Sequence, residues 1–187
     1  IKYNINDHSR TETYNMNNLK YIEALPLDAE LKRRIAMTCS CVDCAEIPKV
    51  EFAGEIFREK DIDYQLMHNG IKIVEGCYHG RGITEIIRLL KGHHEPQEEK
   101  AFNEILKYLT PNPIMVELGS HWSYYSMWLK KSVHSSVNYM IEPDPSNLEV
   151  GKKNFEINHM KGKFLNAFVG EKSSPPSEFH CESDDEI

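Results

Sequence analysis

Two carboxylates and one glycine in the second half of the chain have the residue types and spacing of a nucleoside-binding site. Glu117 and Gly119 follow the apolar run 113–116. Glu142 ends the next apolar run, which begins at Tyr139. If the two runs form neighbouring parallel strands, both acids lie at the edge where such sheets bind their ligands. A carboxylate at the end of the second strand can accept hydrogen bonds from the hydroxyl groups of a ribose.

The spacing and the lack of further glycines narrow the choice of ligand. Glu142 comes 23 residues after Gly119, close to the roughly 20 that are typical between a glycine turn and a ribose-binding acid. Gly119 lets the backbone turn sharply and approach a ligand, and the helix that follows offers unpaired N–H groups. Residues 120–123 hold no second glycine to seat a pyrophosphate, as the G-x-G-x-x-G pattern does. We therefore expect an adenosine-containing cofactor without phosphates, and a nicotinamide-binding Rossmann domain is the alternative.

Short segments around these residues follow one another in a recognisable order across roughly residues 111–173. They are Val-Glu-Leu-Gly at 116–119 with Tyr-Tyr-Ser at 124–126, Ile-Glu-Pro-Asp-Pro at 141–145 with Asn147, Lys-Lys-Asn-Phe-Glu-Ile-Asn at 152–158, and Asn-Ala-Phe-Val-Gly at 166–170. In these segments the sequence resembles the FkbM-type S-adenosylmethionine-dependent methyltransferases. Ser120 and Ser123 stand where that family usually has alanine and glycine.

The resemblance implies a class I, Rossmann-like enzyme that transfers a methyl group from S-adenosyl-L-methionine. The acceptor would be an oxygen of a sugar, as a small molecule or in a glycan, or of a secondary metabolite. Because the cofactor carries its own leaving group, the protein mainly has to align donor and acceptor. The implied contacts are Glu117 on the methionine amino group, Gly119 and Ser120 along the methionine tail, Glu142 on the ribose, and Pro143, Ala167 and Phe168 around the adenine.

His121 lies in the turn after Gly119 and is the candidate for a general base that takes a proton from a substrate hydroxyl. A capping or solvent-facing histidine is the alternative at this position. For the whole chain, a non-catalytic binding or interaction module is a further alternative, because half a sheet exposes an unpaired edge strand that a partner can cover.

The pattern of strands and helices around these residues predicts an α/β chain in two parts. A complete class I methyltransferase sheet has seven strands, but only three follow residue 110, the third over 163–169. Because the chain also begins with Ile1, we expect a fragment truncated at both ends, with a Rossmann-like sheet that stops after its third strand. Residues 93–187 would form this half of the methyltransferase domain, and residues 1–92 a small α+β addition.

The clearest element of the addition is a β-hairpin over residues 64–74. Two strand-like runs flank Asn69-Gly70, the dipeptide that best tolerates positive φ at both turn positions. This layer is either a substrate-recognition cap or a small stabilising subdomain. Apolar residues at helical spacing predict the surrounding helices, over 17–25, 27–35 and 83–90.

Three thiols within six residues form a candidate metal site. Cys39, Cys41 and Cys44 could bind zinc with Cys77 or His79 as the fourth ligand, because zinc takes four nitrogen or sulfur donors in a tetrahedron. The C-x-C-x-x-C spacing is not the usual C-x-x-C pair, however, and it favours the alternative of small buried thiols in a loop. We therefore predict no metal at these residues.

The segment from His93 to Glu99 combines two imidazoles with three carboxylates. It could bind a divalent metal or place an acid beside the methyl donor. The favoured interpretation is structural, with the acids in the first turn of a helix that Pro96 opens and the histidines capping the helix before it. This second helix would bury Phe102, Ile105, Leu106 and Leu109, keep Glu98, Glu99, Lys100 and Glu104 largely off that face, and place Gln97 or Glu98 near the cofactor.

Composition limits the classes of partner. The net charge is −7 and no basic cluster is visible, which argues against binding to nucleic acid or to an anionic membrane surface. The sequence contains no run of 18 apolar residues, so it predicts no membrane-spanning helix. Five cysteines, an odd number, favour a reducing compartment over a disulfide scaffold, so we expect a cytoplasmic protein.

Overall fold

A computed structural model describes residues 17–170 of the chain. Residues 1–16 of the predicted addition and residues 171–187 of the predicted methyltransferase half lie outside the described residues. The helices are α1 (described over residues 17–24), α2 (Ala29–Cys39), α3 (Gly80–Leu89), α4 (Pro96–Ile105, followed by a 3₁₀ turn at Leu106–Tyr108), α5 (Tyr124–Ser132) and α6 (Pro145–Ile157). The strands are β1 (Ile56–Glu59), β2 (Ile62–Leu66), β3 (Lys72–Val74), β4 (Ile114–Leu118), β5 (Val137–Glu142) and β6 (Lys163–Asn166).

The second half forms a parallel sheet in the order β4-β5-β6. Leu118 lies opposite Ile141, and Glu142 lies opposite Asn166. Helix α5 connects β4 to β5 and α6 connects β5 to β6, so the sheet is built from two β-α-β units, as in part of a Rossmann-like fold. The predicted α/β class with three parallel strands is confirmed, although β6 ends at Asn166, three residues before the predicted Val169.

The two faces of this sheet differ in what covers them. Along β4, Met115 and Glu117 point toward the helices, whereas Ile114, Val116 and Leu118 on the opposite face are 70%, 55% and 57% exposed. A parallel sheet usually has both faces covered. Within residues 17–170 only one face is covered, and the other presents a row of apolar side chains that β5 and β6 extend with Val137, Tyr139 and Leu165.

The first half forms an antiparallel sheet in the order β1-β2-β3. The predicted pairing is confirmed, because β2 pairs with β3 and Leu66 lies opposite Lys72. The connection runs over residues 67–71, and of the Asn69-Gly70 pair only Gly70 has a positive φ, 77°. The hairpin between β1 and β2 was not predicted. Its two-residue turn, Lys60-Asp61, has positive φ at both positions without a glycine.

Helix α6 joins the two sheets. Asn154 on α6 and Asn158, which caps its C-terminus, accept the backbone N–H groups of Val74 and Lys72, each at 2.9 Å. They therefore satisfy donors on the outer edge of β3. One hydrophobic cluster contains residues from both predicted domains, among them Met67, Ile71 and Ile73 with Trp122, Tyr124, Met127, Met140 and Phe155. The boundary at residue 92 stays a prediction, but the parts on its two sides share a core.

Helices α1, α2 and α3 pack around a second hydrophobic cluster that includes Ile22, Ile35 and Ile86. Helix α2 begins at a capping residue, because the Asp28 side chain accepts the Leu31 N–H. No helix within residues 17–170 combines the length and the apolar character that a membrane crossing requires.

Candidate functional site

The turn after β4 leaves open space where the sequence predicts a ligand. Gly119 is exposed and has a φ of 65°, a left-handed conformation that favours glycine. A Cβ atom built on Gly119 would meet no atom of the described residues within 4 Å. The Gly119 and Ser120 N–H groups donate to the Ile141 carbonyl, at 2.8 and 3.2 Å, which fixes this open turn against β5.

The remainder of the turn is tightly packed. His121 and Ser123 also have positive φ, 38° and 61°, and α6 approaches the turn at Gly151, where a Cβ would lie 2.4 Å from Ser123 Oγ. The hydroxyls of Ser120 and Ser123 are buried and have no hydrogen-bond partner within the described part of the chain. Gly119 is therefore the accessible residue of the turn, whereas the Ser120 side chain lies beneath the surface.

Glu142 is buried at the end of β5 and holds two turns together. Its carboxylate accepts the His121 N–H at 2.9 Å and the Asp144 N–H at 3.0 Å, one on each oxygen. Each carboxylate oxygen has a second lone pair. Glu142 therefore orders the turn after β4 and retains acceptor capacity on both oxygens.

Glu117 lies on the same face of the sheet as Glu142, because both side chains point toward the helix layer. It accepts the Ser126 N–H at 3.2 Å, in the first turn of α5, where the helix dipole favours a negative charge. Burial nevertheless raises the pKa of the Glu117 carboxyl to about 7, although its hydrogen bonds to the helix act to lower it. The two predicted acids thus share one face at the ends of neighbouring strands.

The pKa of Glu117 predicts how stability depends on pH. The folded protein holds this proton more tightly than the unfolded chain, whose carboxyl titrates near 4.5, so the Glu117 contribution falls as pH rises from about 4.5 to about 7. Glu117→Gln removes that titration. As pH rises from about 5 to about 8, we expect the free energy of unfolding of the variant to increase by about 1–2 kcal/mol relative to that of wild type. The value is kept small because the Glu117 side chain is only partly enclosed. Urea unfolding at the two pH values measures it, and a difference that does not change with pH would contradict it.

The predicted adenine-binding residues meet at the ends of β5 and β6. The Asn166 side chain donates to the carbonyls of Glu142 and Pro143, at 2.9 and 2.8 Å, and the Ala167 N–H donates to the Glu142 carbonyl at 3.3 Å. Phe168 follows with its ring 54% exposed. These contacts place Pro143 and Ala167 beside Glu142, although Ala167 and Phe168 come after the last residue of the strand.

An aromatic cluster lies beside the turn. Tyr78 stacks on Trp122 with the ring centroids 4.4 Å apart, and Trp122 is buried in the shared core. The His121 ring lies 5.1 Å from that of Tyr78 and 5.6 Å from that of His79. Burial lowers the pKa of His121, and the neighbouring His79 acts in the same direction. His121 is therefore mostly neutral at pH 7, as a general base must be.

A cavity of about 500 Å³ opens between α2, α3 and the start of α4. Of the described residues predicted to bind the cofactor, none lines this cavity. His79 lines it and also contacts the His121 ring, so the cavity and the turn after β4 are neighbours. Its other polar lining residues include Arg34, Thr38, His94, Glu95, Gln97 and Glu98, and its apolar ones include Leu31, Met37, Ile83 and Ile86.

The three cysteines of the candidate zinc site do not come together. Cys39 packs in the cluster of α1, α2 and α3, whereas Cys44 packs in the core shared by both sheets. Burial raises the pKa of Cys39 to about 12 and that of Cys44 to about 11, so both are neutral thiols. Residues 17–170 contain one group of three potential ligands with donor atoms within 4.8 Å of one another, and it includes no cysteine.

Helix α4 turns Phe102 and Leu106 toward the core as predicted, and it departs from the predicted face at two positions. Ile105 is 55% exposed, whereas Glu99, predicted to lie off the buried face, is fully buried. The Glu99 carboxylate accepts the His94 N–H at 2.9 Å and contacts the His93 ring at Nδ1. Glu99 departs from the prediction because these partners hold its carboxylate in the interior, next to the half-buried Phe102 and Leu106. The histidines consequently lie in the interior instead of capping α3.

Comparison with known proteins leaves the site to be interpreted from its geometry. No protein-family model matches the chain, and no curated protein matches it.

Proposed function

We propose that the protein is an S-adenosylmethionine-dependent methyltransferase of the FkbM type. The observation that carries the proposal is the open left-handed turn at Gly119, next to Glu142 on the adjacent parallel strand. A ligand at that edge can approach the backbone without meeting a side chain. Because a pyrophosphate-binding glycine pattern is missing from residues 119–123, a nucleoside without phosphates suits the edge better than a nicotinamide dinucleotide.

The residues of the chain would share the work of binding. Bound S-adenosyl-L-methionine supplies a methyl group on a positively charged sulfur. Glu142 would accept the ribose hydroxyls through its remaining lone pairs, and Glu117, once ionised, would face the methionine ammonium group. Pro143, Ala167 and Phe168 would enclose the adenine. Gly119 would leave room for the methionine tail beside the Ser120 backbone.

The cavity beside His79 supports a place for the methyl acceptor. Its polar lining combines hydrogen-bond donors with the carboxylates of Glu95 and Glu98, a mixture that suits the hydroxyl groups of a sugar or another small molecule. His121, kept neutral by burial, is the candidate to take the proton of such a hydroxyl. The free thiols of Cys39, Cys41, Cys44 and Cys77 support the proposal of a reducing, cytoplasmic setting.

Glu142→Ala should weaken binding of S-adenosylhomocysteine by about 1–3 kcal/mol, or roughly 5- to 150-fold, the range for loss of hydrogen bonds to a charged group. Isothermal titration calorimetry measures the affinity. Glu142→Gln keeps the shape and one acceptor oxygen, so its loss should be smaller. Glu149→Ala, an exposed charge change on α6, is the matched control and should leave affinity unchanged.

Two outcomes would count against the cofactor. If wild type gives no heat with S-adenosylhomocysteine at about 1 mM, roughly the weakest useful affinity, the proposed function is wrong. If wild type binds but Glu142→Ala binds equally well, the ribose assignment is wrong. Because Glu142 also orders two turns, thermal unfolding of each variant must first establish that it is folded. Binding of NADH, followed by its fluorescence, would revive the nicotinamide alternative.

A second candidate function is a binding or interaction module. The specific observation in its favour is the exposed apolar face formed by Ile114, Val116 and Leu118 with their neighbours on β5 and β6, since exposed patches of this kind mark interaction surfaces. Light scattering of the purified chain separates the two candidates. A monomer that binds S-adenosylhomocysteine favours the enzyme, and an oligomer that does not bind it favours the module.

A further inference from the structure

Three potential metal ligands meet in the interior, away from the predicted cofactor edge. His68 follows β2 in the hairpin turn, His93 lies between α3 and α4, and Glu99 belongs to the first turn of α4. Each offers a donor atom within 4.8 Å of the other two. His93 and Glu99 are fully buried, and His68 is 2% exposed.

The hydrogen bonding of these side chains is incomplete. Neither ring nitrogen of His68 has a partner among the described residues, and Nε2 of His93 has none either. A neutral imidazole carries one donor and one acceptor, and buried polar groups are normally paired. Nδ1 of His93 contacts the Glu99 carboxylate, whereas both ring nitrogens of His68 and Nε2 of His93 are buried without a partner, a deficit that a bound cation would relieve.

We propose that His68, His93 and Glu99 bind one divalent transition-metal ion, with zinc as the best match. Two imidazole nitrogens and one carboxylate oxygen form a common set of protein ligands for zinc, and they leave a fourth tetrahedral position. The His94 N–H fixes the orientation of the Glu99 carboxylate at 2.9 Å, as partners behind a metal ligand usually do. The proposal does not depend on the methyltransferase assignment, because no residue of the cofactor edge takes part.

Two changes must accompany binding of the ion. The direct contact between His93 Nδ1 and the Glu99 carboxylate must open to admit it, and the His68 ring must turn. The rings of His68 and His93 are stacked, with centroids 4.1 Å apart and planes 11° apart, whereas a metal lies in the plane of each imidazole that binds it. The His68 ring must therefore turn about its Cβ–Cγ bond. That rotation breaks no ring hydrogen bond within the described residues, and it exchanges the edge contact with Trp128 for a metal–nitrogen bond.

The test is metal binding by the full 187-residue chain after removal of metal with EDTA. Titration with zinc against a competing chelator should give one equivalent bound, and cobalt(II) should give the visible absorption of a tetrahedral nitrogen and oxygen site. His68→Gln and His93→Gln should each weaken zinc binding at least about tenfold, since even residues that only support a ligand contribute that much. His134→Gln, an exposed histidine, is the matched control.

Each outcome decides the proposal. It is overturned if wild type binds less than one equivalent of zinc, or if His68→Gln binds as tightly as wild type. Loss of binding in His134→Gln as well would show adventitious surface binding and would also overturn it. Glutamine is chosen to keep a polar side chain of similar size, and far-ultraviolet circular dichroism checks the fold. A zinc-dependent rise in Tm should occur in wild type and the control but not in the two ligand variants.

Discussion

Replacing Gly92 by alanine should lower the free energy of unfolding by about 3–5 kcal/mol. Gly92 has a φ of 88°, and an added Cβ would lie 2.1 Å from the His68 nitrogen and 2.6 Å from the Met67 carbonyl carbon. Both are backbone atoms, and the His68 N–H donates to the Gly92 carbonyl at 2.9 Å. The left-handed conformation costs about 1–2 kcal/mol without glycine, and overlap with two backbone atoms in a packed site adds about 2–3 kcal/mol, the upper part of the range for overpacking.

Gly76→Ala is the matched control for this change. Gly76 has a similar φ, 69°, but no atom of residues 17–170 lies within 4 Å of its added Cβ. Gly76→Ala should therefore lower the free energy of unfolding only by the cost of the left-handed conformation, about 1–2 kcal/mol. Urea unfolding of both variants gives the comparison. Equal losses would mean that the hairpin turn and the segment after α3 separate easily, contrary to the contact described.

Asn154→Ala should destabilise the protein by about 2–4 kcal/mol, the second largest effect we expect. Asn154 is fully buried, accepts the Val74 N–H at 2.9 Å and donates to the Trp122 carbonyl at 3.1 Å. Alanine leaves a buried donor and a buried acceptor without partners, and each such loss costs about 1–3 kcal/mol. The same side chain connects β3, the turn after β4 and α6, so the loss should affect both sheets together.

Lys153→Ala is the control on the same helix, because Lys153 forms an exposed ion pair with Glu156. Surface pairs of this kind contribute little, so the change should stay within about 0.5 kcal/mol. Denaturant midpoints followed by tryptophan fluorescence measure both variants. If Asn154→Ala costs no more than Lys153→Ala, α6 does not join the sheets through this side chain.

The parts of the fold that follow from local pattern could be predicted from the sequence. Helix α6 has the local signals of a helix start, because Asp144 caps it by accepting the Ser146 and Asn147 N–H groups and Pro145 occupies its first turn. The apolar runs before Glu117 and Glu142 became neighbouring parallel strands. Short-range chemistry of this kind depends only on residues a few positions apart.

The hairpin at Lys60-Asp61 could not be predicted in the same way. Its two turn residues adopt positive φ without the Asn-Gly pair that signals such a turn. The backbone pairing of β1 with β2, in a sheet that β3 extends, holds the turn residues in this conformation. Tertiary contacts therefore overrode the local preference of these two residues.

The buried face of α4 and the group around Glu99 depend on distant partners. Glu99 is buried because its carboxylate contacts the His93 ring and accepts the His94 N–H, whereas Ile105 is 55% exposed. His68 stands 25 residues before His93, in a hairpin with no periodic relation to it. The sequence identified the acidic and histidine-rich segment as chemically interesting, but only the packing of the hairpin turn against it supplied the third side chain.

The position of α6 between two sheets limits how this chain could be re-engineered. A chimaera that transferred the hairpin layer of this chain, cut at residue 92, into another protein would bring β3 without the amides that satisfy its outer edge. The graft would have to carry Asn154 and Asn158, or replacements for them, from a helix more than sixty positions further along. Recombination points that look natural in the primary structure would therefore divide a single interlocked unit.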